Sequence, residues 1–321
     1  MRYFVTGGAG FIGSNYVAHL FNNVEEVTGV TIYDKFTYAA NPKNFQEFTD
    51  DSRLTVISGD ICDSTLLERS MDGHDFVVHF AAESHVDSSI NDASIFVYTN
   101  VFGTFNVLEA SREVGIKTVI HVSTDEVYGS LSEGSADETH ALEPNSPYAA
   151  SKAASDLLAR SYFVTYGLDV RTTRCCNNFG KYQYPEKVIP VFINHLKNNE
   201  KLPIYGTGEN IREWIHVSDH VAGIQVALEN GSPGQIYNIG SGNHLSNNNL
   251  ATAITTLMGF SEDMKSYIPD RPGHDFRYSL NFAKIESIGM KIPSNFQNRL
   301  KETIDWYLLN TNWFDSEGSG V

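Results

Sequence analysis

The stretch Val5-Thr-Gly-Gly-Ala-Gly-Phe-Ile-Gly13 decides how this chain folds. It overlaps a short apolar run, Arg2 to Thr6, that is typical of a buried strand, and it leads into an apolar periodic stretch that continues to Leu20. Strand, glycine turn and helix in this order are typical of a dinucleotide-binding unit. The glycines let a pyrophosphate approach the backbone closely, and the start of the helix offers free amides and a favourable dipole.

A second apolar run, Val27 to Tyr33, ends at Asp34. Asp34 stands about twenty residues beyond the glycine turn, where an acid is expected to bind the adenosine ribose 2′-hydroxyl. Asp34 would repel a 2′-phosphate, so the sequence favours NAD over NADP, although Lys35 next to it weakens this inference. With strand, helix and Asp34 all in register, we favour a cofactor site over an ordinary tight turn.

Composition limits the classes of protein to consider. At 321 residues the chain can bury a large core in one domain or two closely joined ones. Its net charge of −16 argues against a nucleic-acid partner, which usually needs a basic face. No apolar stretch approaches membrane-spanning length, and Met1 leads directly into the first strand, so we expect no membrane partner and a cytoplasmic location. Cys62, Cys175 and Cys176 predict no disulfide framework.

The first half of the chain alternates between strand and helix patterns. Further strands are predicted over Leu54–Ser58, Asp75–Phe80 and Lys117–Ser123, and long helices over Val97–Val114 and Tyr148–Tyr166. This alternation predicts an α/β fold with a doubly wound parallel sheet, the Rossmann arrangement. Ligands of such sheets bind beyond the carboxyl ends of the strands, and each polar motif in this half follows a strand.

After about residue 175 the pattern changes to shorter elements with turn-rich polar clusters. We predict a Rossmann domain over residues 1–175 and a smaller mixed α/β C-terminal lobe for substrate over 176–321, some of whose elements return to the first domain. Within this lobe Lys187, Arg212 and Arg271 could clamp a pyrophosphate, since arginine suits bidentate contact. The alternative for each of them is a solvated surface charge.

Two polar groups carry the chemistry. Tyr148 and Lys152 lie one turn apart on the same face of a predicted helix, so the ammonium could lower the phenol's pKa and make it a usable base beside a nicotinamide. Thr124, Asp125 and Glu126 follow a predicted strand and place two carboxyl groups on one loop. A carboxylic acid and a carboxylate together permit β-elimination, because one removes a proton and the other protonates a leaving hydroxyl.

With these motifs the chain resembles the extended short-chain dehydrogenases/reductases and, closely, the dTDP-glucose 4,6-dehydratase family of nucleotide-sugar 4,6-dehydratases. The resemblance covers nearly the whole chain. The acid pair Asp125-Glu126 distinguishes this family from related epimerases and decarboxylases, which lack the pair. Further matching segments are Ala81–Asp87, Ser146–Lys152, Asn177-Asn178, Tyr184–Lys187, Pro203–Gly206, Asn210–Arg212 and Asp270–Asp275.

The resemblance implies two sets of binding residues. The NAD site would be lined by Gly7, Gly10, Phe11, Ile12, Gly13, Asp34, Lys35, Thr37, Asp60, Ile61, Ala81, Ala82, Ser84, Thr99, Tyr148, Lys152 and Asn178. The sugar nucleotide would be bound by Ser84, Thr124, Asn177, Lys187, Val188, Pro203, Tyr205, Arg212, Asn247, Arg271 and His274. The chain departs from the family pattern at Phe179, Lys181 and Ser88, which puts fine details of sugar or subunit contact in doubt.

The resemblance also implies a mechanism. Tyr148, activated by Lys152, would take the proton of the sugar 4-hydroxyl while C4 gives hydride to NAD, and Thr124 could hold the same oxygen. Glu126 would then remove the C5 proton, Asp125 would protonate the C6 hydroxyl so that water leaves, and hydride would return to C6. Similar proteins form homodimers, and we expect the two predicted long helices to pair two subunits.

Other functions stay open at this point. The substrate could be a UDP- or GDP-sugar, and a sugar-nucleotide 4-epimerase is a further alternative that the acid pair disfavours. A non-catalytic dinucleotide sensor would need none of the chemical residues. His216-x-x-x-His220 with Asp219 has metal-ligand spacing but shows no third ligand, so we expect no metal. We expect His79 and His121 to pack in the core and Tyr128 to brace its loop.

Overall fold

A seven-stranded sheet forms the centre of the structure, a computed structural model that describes residues 1–270, 272–291 and 295–314. The elements up to residue 175 are β1 (Arg2–Thr6), α1 (Phe11–Asn23), β2 (Gly29–Asp34), β3 (Leu54–Ser58), α2 (Ser64–Met71), β4 (Phe76–His79), α3 (Val86–Asn91), α4 (Ser94–Phe96), α5 (Thr104–Glu113), β5 (Thr118–Thr124), α6 (Pro147–Tyr166) and β6 (Val170–Cys175). A π-helical segment, Val97–Gly103, joins α4 to α5, and short 3₁₀ helices lie at Pro42–Phe48 and Asp125–Tyr128.

The second half of the chain contains shorter elements. They are β7 (Asn177–Phe179), α7 (Val188–Lys197), β8 (Leu202–Tyr205), β9 (Ile211–His216), α8 (Val217–Asn230), β10 (Ile236–Ile239), β11 (His244–Ser246), α9 (Asn247–Leu257), β12 (Lys265–Ile268), α10 (Ala283–Ser287) and α11 (Phe296–Leu309). Further 3₁₀ helices are Glu262–Met264 and Thr311–Trp313.

The large sheet has the strand order β3-β2-β1-β4-β5-β6-β10, and every pairing in it is parallel. Alternate residues of β1 enter two different cores. Tyr3 and Val5 pack in one core with α1 and α8, whereas Phe4 packs in the other with Leu67 of α2 and Val107 of α5. Helices therefore cover both faces of the sheet, and the predicted doubly wound fold is confirmed.

The second lobe has its own sheets and its own core. β7, β9 and β11 form a mixed three-stranded sheet, and β8 pairs in parallel with β12. A third apolar core joins α7, α9 and α11 to these strands. β10 returns to the large sheet beside β6. The division at residue 175 stays a prediction.

Local sequence explains where α6, the helix of Tyr148 and Lys152, begins and ends. The Ser146 side chain accepts a hydrogen bond of 3.1 Å from the Ala149 amide, and Pro147 occupies the first helical turn. Gly167 ends the helix in the left-handed conformation, with φ of 72°. The predicted helix over Val97–Val114 is also present, although it starts at Ser94 and passes through the π-helical segment.

Among the described residues, no helix is both long enough and apolar enough to cross a membrane.

Gly13 is the glycine of the first turn that leaves least room for a side chain. A Cβ there would lie 2.3 Å from the Gly7 carbonyl oxygen and 2.9 Å from the Gly8 Cα. We expect Gly13→Ala to lower the free energy of unfolding by about 1–3 kcal/mol, since α1 must shift away from β1. Urea denaturation after removal of NAD would measure it.

Gly10→Ala is the matched control, because the nearest atom to its Cβ, the Gly7 oxygen, would lie 3.4 Å away. Equal stability of the two variants would show that crowding does not explain the glycine at position 13.

Candidate active site

A cleft opens where β1, β4, β5 and β6 end. All five residues predicted to be catalytic line it: Thr124, Asp125, Glu126, Tyr148 and Lys152. Predicted cofactor and substrate residues in the same lining are Gly7, Gly10, Phe11, Ile12, Gly13, Ala82, Ser84, Asn177, Asn178 and Lys187. Further lining residues, which sequence reasoning missed, include Ala39, Phe80, Val122, Ser123, Cys175, Cys176, Gln183, Tyr184 and Glu186.

The glycine turn at one end of the cleft fits a dinucleotide. Gly7 has a φ of 69°, and a Cβ on it would lie 2.6 Å from the Ala81 amide nitrogen, so only glycine fits where the two loops meet. Asp34 ends β2 beside this turn, and its carboxylate accepts hydrogen bonds from the Ala9 and Phe36 amides at 3.0 and 2.9 Å. Burial raises the pKa of Asp34, although these amides oppose the shift.

Lys35 does not offer an unpaired charge to a 2′-phosphate. Its ammonium lies 2.8 Å from the Asp60 carboxylate, and this partner raises the pKa of Lys35. Because its charge is paired with Asp60, Lys35 is a weaker argument for NADP than the sequence alone suggested. The remaining predicted cofactor residues do not line the cleft, and their role stays a prediction: Asp34, Lys35, Thr37, Asp60, Ile61, Ala81 and Thr99.

Tyr148 and Lys152 lie on α6 in the expected register. The Lys152 ammonium donates a 2.8 Å hydrogen bond to the Val122 carbonyl oxygen, and burial lowers its pKa. The pKa of Tyr148, however, is raised well above its ordinary value by burial and by the Glu126 carboxylate. The expected lowering of the Tyr148 pKa was wrong for this structure, because helical spacing shows the nearby cation but not the burial and the facing carboxylates.

Asp125 and Glu126 lie on the 3₁₀ turn directly after β5. The Thr124 hydroxyl caps this turn, accepting from the Glu126 amide at 3.3 Å and donating to Asp125 Oδ1 at 3.2 Å. Asp125 is only 3% exposed, and its Oδ2 has no hydrogen-bond partner among the described residues. Burial and the negative charges of Glu126 and Glu213 raise the pKa of Asp125 well above 3.8, which favours its protonated form.

Arg212 is buried rather than solvated. It is 6% exposed, its guanidinium donates 2.9 Å hydrogen bonds to the Asp275 and Ile211 carbonyl oxygens, and it stacks over the Tyr278 ring at 4.4 Å. The alternative of a surface charge is therefore wrong for Arg212. Lys187 donates to the Ser84 carbonyl oxygen at 3.3 Å at the mouth of the cleft.

Other predicted substrate residues stand outside the cleft lining, on elements of the second lobe. Val188 begins α7, Pro203 and Tyr205 belong to β8, and Asn247 begins α9. The His274 ring contacts Tyr205, with 6.3 Å between centroids, and its Nδ1 lies 2.6 Å from the Asp270 carboxylate. Arg271 lies outside the described residues. The roles of all these residues stay predictions.

Two buried polar residues were missed by the sequence analysis. Asn100 accepts a 2.8 Å hydrogen bond from the Glu83 amide and donates a 2.9 Å bond to the Ser151 hydroxyl, so it ties the loop after β4 to α6. Its place on the buried side of an otherwise apolar helix could have revealed it. Glu213, fully buried in β9, accepts from the amides of Ser241, Gly242 and Leu280. No local pattern marks it.

The histidines take structural roles. His220 Nδ1 lies 2.9 Å from the Asn178 amide oxygen, and burial lowers the pKa of His220 to about 3. His79 and His121 are buried between hydroxyl and carboxylate partners, as expected of core residues. Within the described residues no group of three or more histidine, cysteine, aspartate or glutamate side chains could hold a metal ion. The cysteines are free, as predicted.

Comparison with known proteins places this site in a family. The model of the GDP-mannose 4,6 dehydratase family matches residues 4–303. A dTDP-glucose 4,6-dehydratase from Streptomyces niveus is 47% identical over 319 residues, which cover 98% of this chain and 95% of that protein. The chain belongs to the dTDP-glucose 4,6-dehydratase family.

Solved structures agree with this family. A dTDP-glucose 4,6-dehydratase from Streptomyces venezuelae with NAD bound is 49% identical and superposes with a TM-score of 0.96, covering 98% of this chain and 99% of that one. A UDP-glucose 4-epimerase from Thermotoga maritima is 27% identical with a TM-score of 0.89 over 97% of this chain and 100% of that one. The resemblance stated from the motifs is thus confirmed, and dehydratases share their fold with epimerases.

The raised pKa of Asp125 makes stability depend on pH. Above 3.8 the unfolded chain releases the Asp125 proton while the folded chain keeps it, so the wild type loses stability as pH rises towards the raised pKa. The asparagine of Asp125→Asn does not ionise. Between pH 3.8 and the raised pKa we therefore expect the free energy of unfolding of this variant to rise relative to that of the wild type, by about 1.4 kcal/mol per pH unit. Denaturation at about pH 5 and about pH 7 would measure the difference.

Glu213→Gln is the control, because we expect it to change the free energy of unfolding in the opposite direction. Although burial opposes ionisation, hydrogen bonds from His244 and three backbone amides hold the pKa of Glu213 below its ordinary value. Losing that charge should lower stability at neutral pH. A difference in the free energy of unfolding between Asp125→Asn and the wild type that does not change with pH would contradict a raised pKa of Asp125.

Proposed function

We propose that this protein is an NAD-dependent dTDP-glucose 4,6-dehydratase that converts dTDP-glucose to dTDP-4-keto-6-deoxyglucose with loss of water. The observation that carries the proposal is the buried Asp125 carboxyl, whose pKa is raised, next to Glu126 in the cleft that also holds Tyr148 and Lys152. Such a pair supplies the acid and the base that elimination needs. A dTDP-sugar, rather than a UDP-sugar, is favoured by the relatives of this chain.

NAD fits the residues at the glycine turn. Gly7 and Gly13 keep the turn tight, because a Cβ on either would overlap neighbouring backbone, and Asp34 is placed for a ribose hydroxyl. When bound, NAD supplies the hydride acceptor for sugar C4 and returns the same hydride to C6. Because the cofactor is regenerated in each turnover, the enzyme needs to hold it tightly rather than exchange it.

Oxidation uses the residues on α6 and the end of β5. Tyr148 removes the proton from the sugar 4-hydroxyl, and Thr124 holds the same oxygen. Lys152 lies one helical turn beyond Tyr148 in the same cleft. The Thr124 hydrogen bond opposes the rise in the Tyr148 pKa that burial and the carboxylates cause. The buried setting keeps water away from the sugar carbon that gives up hydride.

Elimination uses the two neighbouring carboxyl groups in different protonation states. A ketone at C4 acidifies the C5 proton, which Glu126 removes. Asp125 gives its proton to the C6 hydroxyl, which leaves as water. Like charges on adjacent residues in a buried turn cannot both be favourable, so one carboxyl stays protonated.

The enzyme is proposed to act as a homodimer. Exposed apolar side chains of the helical segment before β5 line one surface together with Leu158 of α6: Ile95, Val97, Tyr98, Phe102 and Phe105. Leu157, the residue before Leu158 on α6, is exposed as well. An apolar surface of this kind marks an interaction site, and two copies can bury it through a shared twofold axis. The cytoplasmic location expected from the sequence stays a prediction.

The intramolecular hydride path can be tested with dTDP-glucose that carries deuterium at C4. We expect the label at C6 of the product, with loss of one water, by mass spectrometry. Glu126→Gln should still oxidise C4 but stall before elimination, because an amide cannot accept the C5 proton, and general base help is worth about 10²–10⁴-fold. NADH absorbance should rise in this variant.

Tyr148→Phe is the control for the oxidation step, since it should form no NADH. Unlabelled C6, or full activity of Glu126→Gln, would contradict the proposed function. UDP-glucose tested in parallel separates the two nucleotide substrates.

The dimer surface can be tested with Leu157→Arg, since Leu157 is 59% exposed on α6. A buried charge there costs several kcal/mol, so sedimentation at micromolar concentration should show dimers for the wild type and monomers for the variant. Leu309→Arg, at an 85% exposed position on α11, should stay dimeric. A monomeric wild type, or a dimeric Leu157→Arg, would rule out this surface.

A further inference from the structure

Arg174 is the centre of a buried polar network beneath the cleft. It lies near the end of β6 and is 3% exposed. Its Nε donates a 2.8 Å hydrogen bond to Asp156 Oδ2, and its Nη1 donates a 2.9 Å bond to the Tyr128 hydroxyl. The guanidinium carbon also lies 4.8 Å from the centre of the Tyr128 ring. One side chain thus contacts two elements at once.

The two partners of Arg174 belong to the two elements that carry the chemistry. Asp156 lies on α6, one helical turn beyond Lys152 and two turns beyond Tyr148. Tyr128 is the last residue of the 3₁₀ turn that begins at Asp125. Arg174 therefore connects the helix of the oxidation residues to the turn of the elimination residues.

Tyr128 and Asp156, the two partners of Arg174, each have a further polar partner. The Tyr128 hydroxyl donates a 2.8 Å hydrogen bond to the Asn238 amide oxygen, and Asn238 donates to the Ala136 carbonyl oxygen at 3.0 Å. Asp156 Oδ1 lies 3.1 Å from His121 Nε2 on β5. A buried network in which these groups have partners rigidifies its surroundings.

Packing alone does not explain an ion pair at this place. Burying Asp156 and Arg174 incurs a desolvation cost, and apolar side chains of similar volume would fill the space at least as favourably. A planar guanidinium, in contrast, fixes the distance and angle between its two partners. The network thus provides geometric definition rather than stability.

We propose that Arg174 and Tyr128 are positioning residues that hold the Asp125–Glu126 turn in register with Tyr148 and Lys152. The inference rests on the proposed function, in which both stages act on neighbouring carbons of one bound sugar. Without register, a sugar oriented for oxidation at C4 would be misplaced for proton removal at C5.

Tyr128→Phe tests this role, because it keeps the ring under Arg174 and removes the hydroxyl that links Arg174 to Asn238. We expect the rate of C4 oxidation in a single turnover to stay near the wild-type rate. Elimination should slow by up to about 10²-fold, the loss that a misplacement of about 1 Å can produce. NADH should therefore accumulate during turnover, and kcat should fall while KM changes little.

Tyr237→Phe is the matched control. Tyr237 precedes Asn238 on β10, is buried, accepts a 2.8 Å hydrogen bond from the Ser232 amide and has the Lys284 ammonium 4.9 Å from its ring centre. It therefore loses the same chemical group in a comparable setting away from the cleft. We expect lower stability at most, with no NADH accumulation.

Each outcome decides between the alternatives. Equal slowing of both steps in Tyr128→Phe, or no change in either, would overturn the positioning role. Where Tyr128→Phe does not fold, Arg174→Lys replaces it, since lysine keeps a cation for Asp156 but cannot hold both partners, and the same selective loss is expected. A wild type that removes no water from dTDP-glucose would overturn the proposed function instead, before any variant is compared.

Discussion

Parallel pairing of β4, β5 and β6 is the constraint on which the cleft depends. The register sets Thr124 opposite Cys175, so β5 and β6 end at the same level, whereas β4 ends at His79, opposite His121 and below that level. A slip of one residue in β5 would turn Thr124 and the following turn towards the opposite face of the sheet. Because every residue of β5 is buried, such a slip would also move its apolar side chains into the core on the other face of the sheet. Core packing and placement of the catalytic turn are therefore set by the same register.

Some of the charged groups buried at this edge of the sheet have an ion-pair partner within the described chain and others do not. Asp156 and Arg174 neutralise one another, and they lie below the cleft. Lys152 contacts a carbonyl oxygen, and Asp125 keeps one oxygen without a partner among the described residues. Burial without an ion-pair partner lowers the pKa of Lys152 and raises that of Asp125. Each shift favours the neutral form of the side chain, which avoids the free-energy cost of a buried charge. Asp125 and Lys152, which line the cleft, thus lack an ion-pair partner in the part of the chain that the structure describes, whereas Asp156 and Arg174 have one another.

Sequence alone predicted the parts of this structure that local patterns determine. The bounds of β1 and β3 match the predicted strands, and the spacing of Tyr148 and Lys152 on α6 follows from helical periodicity. Contacts between distant segments were not predictable in this way. Tyr128 and Asn238 are 110 residues apart, and neither side chain carries a signal that would pair them. For the same reason the direction of the Tyr148 pKa was missed, since its burial depends on the whole fold.

The fold does not by itself decide between elimination and epimerisation, because a UDP-glucose 4-epimerase superposes on it with a TM-score of 0.89. The decision lies in the environment of two adjacent carboxyl groups. Asp125 is buried at the start of the turn and its pKa is raised, whereas Glu126 is only partly buried. A single step along the chain thus produces an acid and a base from similar side chains. In the mechanism that we propose, replacing either one by an uncharged residue would leave Tyr148 and Lys152 intact but remove the means of losing water, so elimination would depend on the contrast in burial within this turn.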